Sequence, residues 1–175
     1  MESAKKVEID CWDYRRTMGM FATGVTVVAV ETDNGIVGMT ANAVTSVSLD
    51  PLLVLVCVHK RARIMKHLRK AQKFSISILN ENQADLSRYF ANMWNEPEPP
   101  VHSFLAWDGV VRLAETMGAI ACRVHELLEG GDHWIVIGQV LDLYRCERMA
   151  NPLLFYEGEY KQISKQSINM PSFPN

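Results

Sequence analysis

Long hydrophobic runs are missing from this sequence. The longest purely apolar stretch, Leu52–Val58, falls far short of the roughly 20 residues that a membrane-spanning helix needs. The opening MESAKKVEID has no hydrophobic signal core, so a cytoplasmic location is expected. Cysteine is sparse: Cys11, Cys57, Cys122 and Cys146 form no C-x-x-C pair. This argues against a zinc ribbon, a metal site or a disulfide framework and for free thiols in a reducing compartment. The common nucleotide devices are absent too, with neither G-x-G-x-x-G nor G-x-x-x-x-G-K-[ST], so no Rossmann or P-loop phosphate cradle is available. No serine sits in a G-x-S-x-G elbow, which weakens a hydrolase reading. The formal net charge of −2 gives no global field for nucleic acid or a membrane surface.

What remains is an ordinary globular chain of 175 residues, 48% hydrophobic and 22% charged, long enough for one domain with a sizeable core. One domain is expected over 1–163, followed by a polar tail over 164–175. Asp10 caps a short helix to Met20 whose apolar face is Cys11, Tyr14, Met18 and Phe21. The period then changes to that of strands: Gly24–Glu31, Ile36–Thr40, Ala43–Leu49, and Leu52–Val58, the last reading as buried on both faces. A basic helix over His59–Lys73 buries Ile64, Leu68 and Ala71; strand Phe74–Leu79 follows. Asn80–Gln83 resembles a capping box ahead of a helix with Leu86, Tyr89, Phe90 and Met93 on one side. Asn95–Ser103, with three prolines, is a surface loop. Two long strands, Ala119–Leu128 and His133–Tyr144, flank Gly130–Gly131, and a final pair, Leu153–Tyr156 and Tyr160–Ile163, closes the domain. Strands that do not alternate with helices point to a mainly β barrel or sandwich.

Three segments can carry chemistry. Gly38–Pro51 presents Thr40, Asn42, Thr45, Ser46 and Ser48 with little side-chain bulk. Such a surface lets a flat polar ligand reach the backbone, and it equally suits a hydroxyl-rich edge strand. His59–Lys73 holds seven Lys or Arg and no acid. Arg61 and Arg63, at a helix N-terminus, can donate to phosphate, or the segment is a solvated helix face. In Gly130–His133, the two glycines form a tight turn and Asp132 and His133 start the returning strand, where successive residues point to opposite faces, so adjacency does not imply a His–Asp pair.

Taken together the segments resemble the flavin reductase-like family, and within it the short reductase components of two-component flavin-dependent monooxygenases. The matching stretches are MGMFATGVTVVAV (Met18–Val30), GMTANAVTSVSLDPLLVLVCV (Gly38–Val58), FSISILNENQADLSRYFA (Phe74–Ala91), GGDHWIVIGQV (Gly130–Val140) and PLLFYEGEY (Pro152–Tyr160), in family order. The resemblance implies a split β-barrel with Greek-key topology and a few flanking short helices, assembled as a homodimer. It implies FMN (with FAD possible) as flavin and NADH or NADPH as hydride donor, with no metal. Flavin contacts are implied for Thr40, Ala41, Asn42, Thr45, Ser46, Val47, Cys57 and Val58, with Arg61 and Arg63 at the phosphate. Gly131, Asp132 and catalytic His133 lie where nicotinamide docks, the proline-rich loop near His102 helps guide it, and Tyr156 and Tyr160 flank the site. The reduced flavin then passes to a partner monooxygenase.

The sequence departs from the family pattern in two places. Ala43 stands where many relatives carry serine, and His59–Lys73 contains no Ser or Thr to hold a phosphate. Two other readings therefore stay open: a flavin-binding electron carrier or sensor without efficient reductase activity, and a β-barrel module whose basic patch binds an acidic partner.

Overall fold

The structure, a computed structural model, describes residues 9–147 and 150–164. The expected tail lies outside the described residues from 165 onward.

Helix α1 (Cys11–Gly19) opens the described chain. Twelve strands follow, β1 (Thr23–Gly24), β2 (Thr26–Thr32), β3 (Gly35–Ala41), β4 (Val44–Leu49), β5 (Leu52–His59), β6 (Lys73–Ile78), β7 (Phe104–Trp107), β8 (Val110–Leu113), β9 (Gly118–Gly130), β10 (His133–Arg145), β11 (Leu154–Tyr156) and β12 (Glu159–Lys161). Helix α2 (Arg63–Ala71) lies between β5 and β6, and α3 (Ala84–Phe90) between β6 and β7.

The main sheet is antiparallel in the order β3-β2-β6-β9-β10-β5-β4. Its two edge strands, β3 and β4, are joined by Asn42 and Ala43 alone. A seven-stranded sheet whose edges are joined by two residues must curl until those edges meet, and the twist of strands supplies the curl. No ladder joins β3 to β4, so the barrel closes through the chain and stays split along that seam.

α2 plugs the barrel. Ile64, Met65 and Leu68 pack with Val28, Val30, Val54, Val56, Val58, Phe74, Ile76, Cys122 and Val136. Burial of this kind stabilises by about 1.5–3 kcal/mol per large aliphatic side chain. Ala71 is exposed rather than buried, because Gln72 enters the left-handed region at φ 59° and ends the helix there. On the far side of β2, Val25, Val27, Leu79, Leu86, Leu113 and Leu153 form a second core under α3 and the β11–β12 pair. β2 is thus buried on both faces, a placement the sequence reading had given to Leu52–Val58 instead.

Several expectations need correction. β5 is buried on one face only: Val54, Val56 and Val58 enter the barrel, while Leu53, Leu55 and Cys57 face outward and are half-buried. Its continuous apolar run reflects two different environments. α1 has the expected Asp10 cap, the carboxylate accepting from the Trp12 and Asp13 N–H groups at 2.7 and 2.8 Å. Yet none of its residues is buried, and Tyr14 and Phe21 are 62% and 71% exposed, because no other described element covers that face. Met93 is exposed as well, since α3 ends at Phe90. The expected capping box is only half formed: Gln83 Oε1 accepts from Asn80 N–H, but Asn80 Oδ1 accepts from Asn82 N–H instead of Gln83. α3 starts later, with Gln83 itself as an N-cap that makes no side-chain cap bond.

Candidate active site

Three of the expected residues, Thr45, Cys57 and His133, meet on the outer face of the barrel near the ends of β5 and β10. In the ladder His133 lies opposite His59, and Ile135 opposite Cys57. Cross-strand partners share a face, so His133, Ile135, His59 and Cys57 form one outward surface. Thr45 pairs with Leu55 and extends the same surface onto β4. Val58 and Trp134 point the other way, into the barrel.

The turn that presents His133 is shifted by one residue from the expected position. Gly130 still pairs with His133, so the two-residue loop is Gly131–Asp132. Only Gly131 takes a positive φ, 65°; a turn of the II′ kind needs glycine at its first position alone. Asp132 is therefore released from strand alternation. Its Oδ1 lies 2.7 Å from His133 Nδ1, a contact that adjacency in the sequence did not imply. The His133 hydrogen bond holds the Asp132 carboxyl below its ordinary 3.8. An ionised carboxylate only accepts, so Nδ1 of His133 donates, and in the neutral imidazole Nε2 is left as the acceptor.

The sign of the pH effect follows. Asp132 binds fewer protons folded than unfolded, so its pairing is present above the ordinary carboxylate pKa and is lost as pH falls through the lowered value. Carbonyl NMR is expected to give a midpoint for Asp132 below 3.8, returning to the ordinary range in His133→Ala. An unmoved midpoint would contradict the hydrogen bond.

The neighbouring basic segment does two jobs. Lys60 N–H donates to Asp132 O at 2.9 Å, which ties the β5 end to the hairpin turn. The Lys60 ammonium and Arg69 guanidinium lie 5.3 and 4.5 Å from the Trp134 ring centre, and these cation–π contacts close the barrel mouth. Arg61 and Arg63 remain exposed beside the start of α2. Its N-cap, Ala62, has no side chain to accept from the first turn's N–H groups.

A separate cluster gathers Thr40, Ser87 and Tyr160. Thr40 Oγ1 donates to Ser87 O at 2.6 Å, and Tyr160 O–H donates to Ser87 Oγ at 2.8 Å. Tyr160 also packs on Phe155, and Arg88 lies over its ring. Tyr156 ends β11 in the small sheet with β1 and β12. These contacts tie Thr40 and Tyr160 to α3 and not to His133. His102 joins Tyr89, Phe90 and Phe104 in a ring cluster on the same side. Ala41 is buried at the end of β3, Asn42 is exposed on the seam, and Ser46 and Val47 are exposed at the bulge in β4.

The chain matches the family model described as flavin reductase like domain over residues 18–164. A Rhodococcus NADH-dependent flavin reductase is 38% identical over 152 residues, covering 85% of this chain and 84% of that protein. The reductase component of 4-hydroxyphenylacetate 3-monooxygenase from Thermus thermophilus is 35% identical, over 86% of this chain and 95% of that one. Among solved structures, a flavin reductase in its native state superimposes with a TM-score of 0.84 at 36% identity, over 90% of this chain and 100% of that chain. The protein belongs to the flavin reductase-like family. Its barrel is accordingly the split barrel of that family.

A flavin reductase-like chain must offer a flat surface and an anion site, and these residues fit both. Thr45 and Cys57 leave low relief on the outer face, and the start of α2 combines unshielded N–H groups with Arg61 and Arg63. Burial of the Val58 side chain limits that residue to backbone contacts. Reasoning from the sequence missed one member of the surface. His59 read only as part of a basic run; its place beside His133 depends on the β5–β10 register, which lies between segments far apart in sequence.

Proposed function

We propose that this protein is an NAD(P)H-dependent flavin reductase that supplies reduced flavin, FMN or FAD, to a partner flavin-dependent monooxygenase. The observation that carries the reading is the Asp132–His133 pair, held at the edge of a low-relief surface formed by Thr45 and Cys57. Bound flavin supplies the acceptor for a hydride from the nicotinamide. That central transfer needs no side-chain acid, so the protein's part is orientation and charge compensation. Asp132 fixes the His133 ring, which leaves Nε2 to meet the nicotinamide. Thr40, Ala41, Asn42, Thr45, Ser46 and Val47 line the seam by small side chains and backbone, and Arg61 and Arg63 meet phosphate. Tyr156 and Tyr160 act from the α3 side.

A homodimer is part of this reading. Leu53, Leu55, Ile135 and Ile137 make an outward apolar sheet face that is only half-buried in one chain, and the apolar residues of α1 are uncovered. A second copy would remove both surfaces from water. Four free cysteines suit the reducing cytoplasm.

The test is anaerobic. Purified protein with FMN or FAD and then NADH or NADPH is expected to bleach the flavin absorbance, with turnover when oxygen returns. Bound flavin that stays oxidised with both nicotinamides would overturn the reductase reading in favour of a carrier.

A further inference from the structure

We propose that His59 is a second specificity-determining residue of this site, reading the nicotinamide carboxamide together with His133 as a donor–acceptor pair. The inference rests on the reductase reading and extends it to a residue that the sequence pattern did not single out.

The Arg61 backbone N–H donates to His59 Nδ1 at 3.1 Å. A ring nitrogen that accepts carries no proton, so neutral His59 holds its proton on Nε2. His133 is the reverse: its Nδ1 donates to Asp132, and its Nε2 accepts. Two imidazoles side by side on one sheet face are thus locked as opposite tautomers. Each lock comes from a different piece of backbone, the Gly131–Asp132 turn for His133 and the 59–62 turn for His59. Among the described residues neither Nε2 has a protein partner.

The rings are 5.1 Å apart, edge to face at 84°. Rings this close can both be reached by one small ligand group, and their opposite tautomers call for one that carries an acceptor and a donor on the same carbon. A primary carboxamide is such a group. Its oxygen would accept from His59 Nε2–H, and its amino group would donate to His133 Nε2. Two histidines of the same tautomer would offer two donors or two acceptors and would leave half of the carboxamide unmatched. Exposure of His59 leaves its ring open to a ligand, and the Lys60 N–H bond to Asp132 O holds the two turns in a fixed relation.

Two variants separate reading from scaffolding. His59→Asn keeps a short side-chain acceptor for the N–H two residues on but loses the Nε2–H. His59→Phe keeps a ring against His133 but loses both nitrogens. Each is expected to raise the KM for NADH about five-fold, the loss of roughly one neutral hydrogen bond. The same rise is expected with the reduced 3-acetylpyridine analogue, which retains the carbonyl and replaces the amino group by methyl. Wild-type KM in His59→Asn would show that His59 only shapes the turn, and wild-type KM in His59→Phe would show that only its ring matters; either overturns the proposal. Nitrogen-15 NMR of the wild-type protein gives a readout independent of activity. His59 is expected to be protonated at Nε2 and His133 at Nδ1, and a shared tautomer would sink the donor–acceptor argument. Normal flavin bleaching with unaffected His59 variants would count against this inference alone; absence of bleaching in the wild-type protein would count against the reductase reading.

Discussion

Truncation of Phe74 to alanine is expected to remove about 3–5 kcal/mol of stability and to lower the melting temperature by roughly 10 °C. Phe74 is 1% exposed and belongs to the barrel core from β6. Its ring occupies space that β10 opens by having no side chain at Gly138. A Cβ there would lie 2.7 Å from Phe74 Cζ and 3.1 Å from Cys122 Cβ. Close packing cannot absorb such an overlap without displacing the buried Phe74 ring or a strand. Gly138→Ala alone is therefore expected to destabilise by about 1–3 kcal/mol. On the Phe74→Ala background most of that penalty should vanish, because the added methyl then enters the vacated space. Chemical denaturation of the four proteins measures the coupling. Strictly additive effects would mean that Phe74 does not fill the space above Gly138.

Replacement of His133 by alanine carries the largest expected effect on activity: about a ten-fold rise in nicotinamide KM, equivalent to about 1.4 kcal/mol, or a comparable loss in the rate of flavin bleaching. Flavin affinity should be unchanged. The separation follows from placement, since the seam, Thr45 and the start of α2 belong to other elements than the turn that holds His133. A rise in KM with kcat retained would mean that His133 binds nicotinamide equally in the ground and transition states; a fall in kcat would mean that it acts during transfer. Anaerobic stopped-flow bleaching with a separate flavin titration distinguishes these outcomes. Wild-type kinetics in this variant would remove His133 from the mechanism.

The barrel class and most element positions were legible in the sequence because patterns of period two and local turn chemistry are read within short windows. The β9–β10 hairpin, the α2 stripe of Ile64 and Leu68, and the Asp10 cap are of this kind. One local signal, Asp108–Gly109, was passed over. Both residues take positive φ, 44° and 71°, and they join β7 to β8. What stayed hidden depends on partners distant along the chain. A continuous apolar run does not reveal which face of β5 is covered. α1 has the pattern of a packed helix without a packing partner among the described residues. Turn register had a similar effect on a smaller scale: two glycines in a row allow two hairpins, and the choice decides whether Asp132 touches His133. The pairing of His59 with His133 needed the long-range ladder.

That ladder has a consequence for how the barrel comes into being. β4 and β5 can form a hairpin as soon as they are made, but the other edge of β5 has no partner until β10 arrives, with residues 53–59 waiting for 133–139. Contacts so far apart in sequence must be closed against chain entropy, which slows folding. During synthesis the apolar edge of β5 is therefore an open template for strands of other chains. A chain that stops before His133 would leave one edge of β5 and one edge of β9 unpaired, and such fragments would gather into aggregates rather than persist as soluble half-barrels.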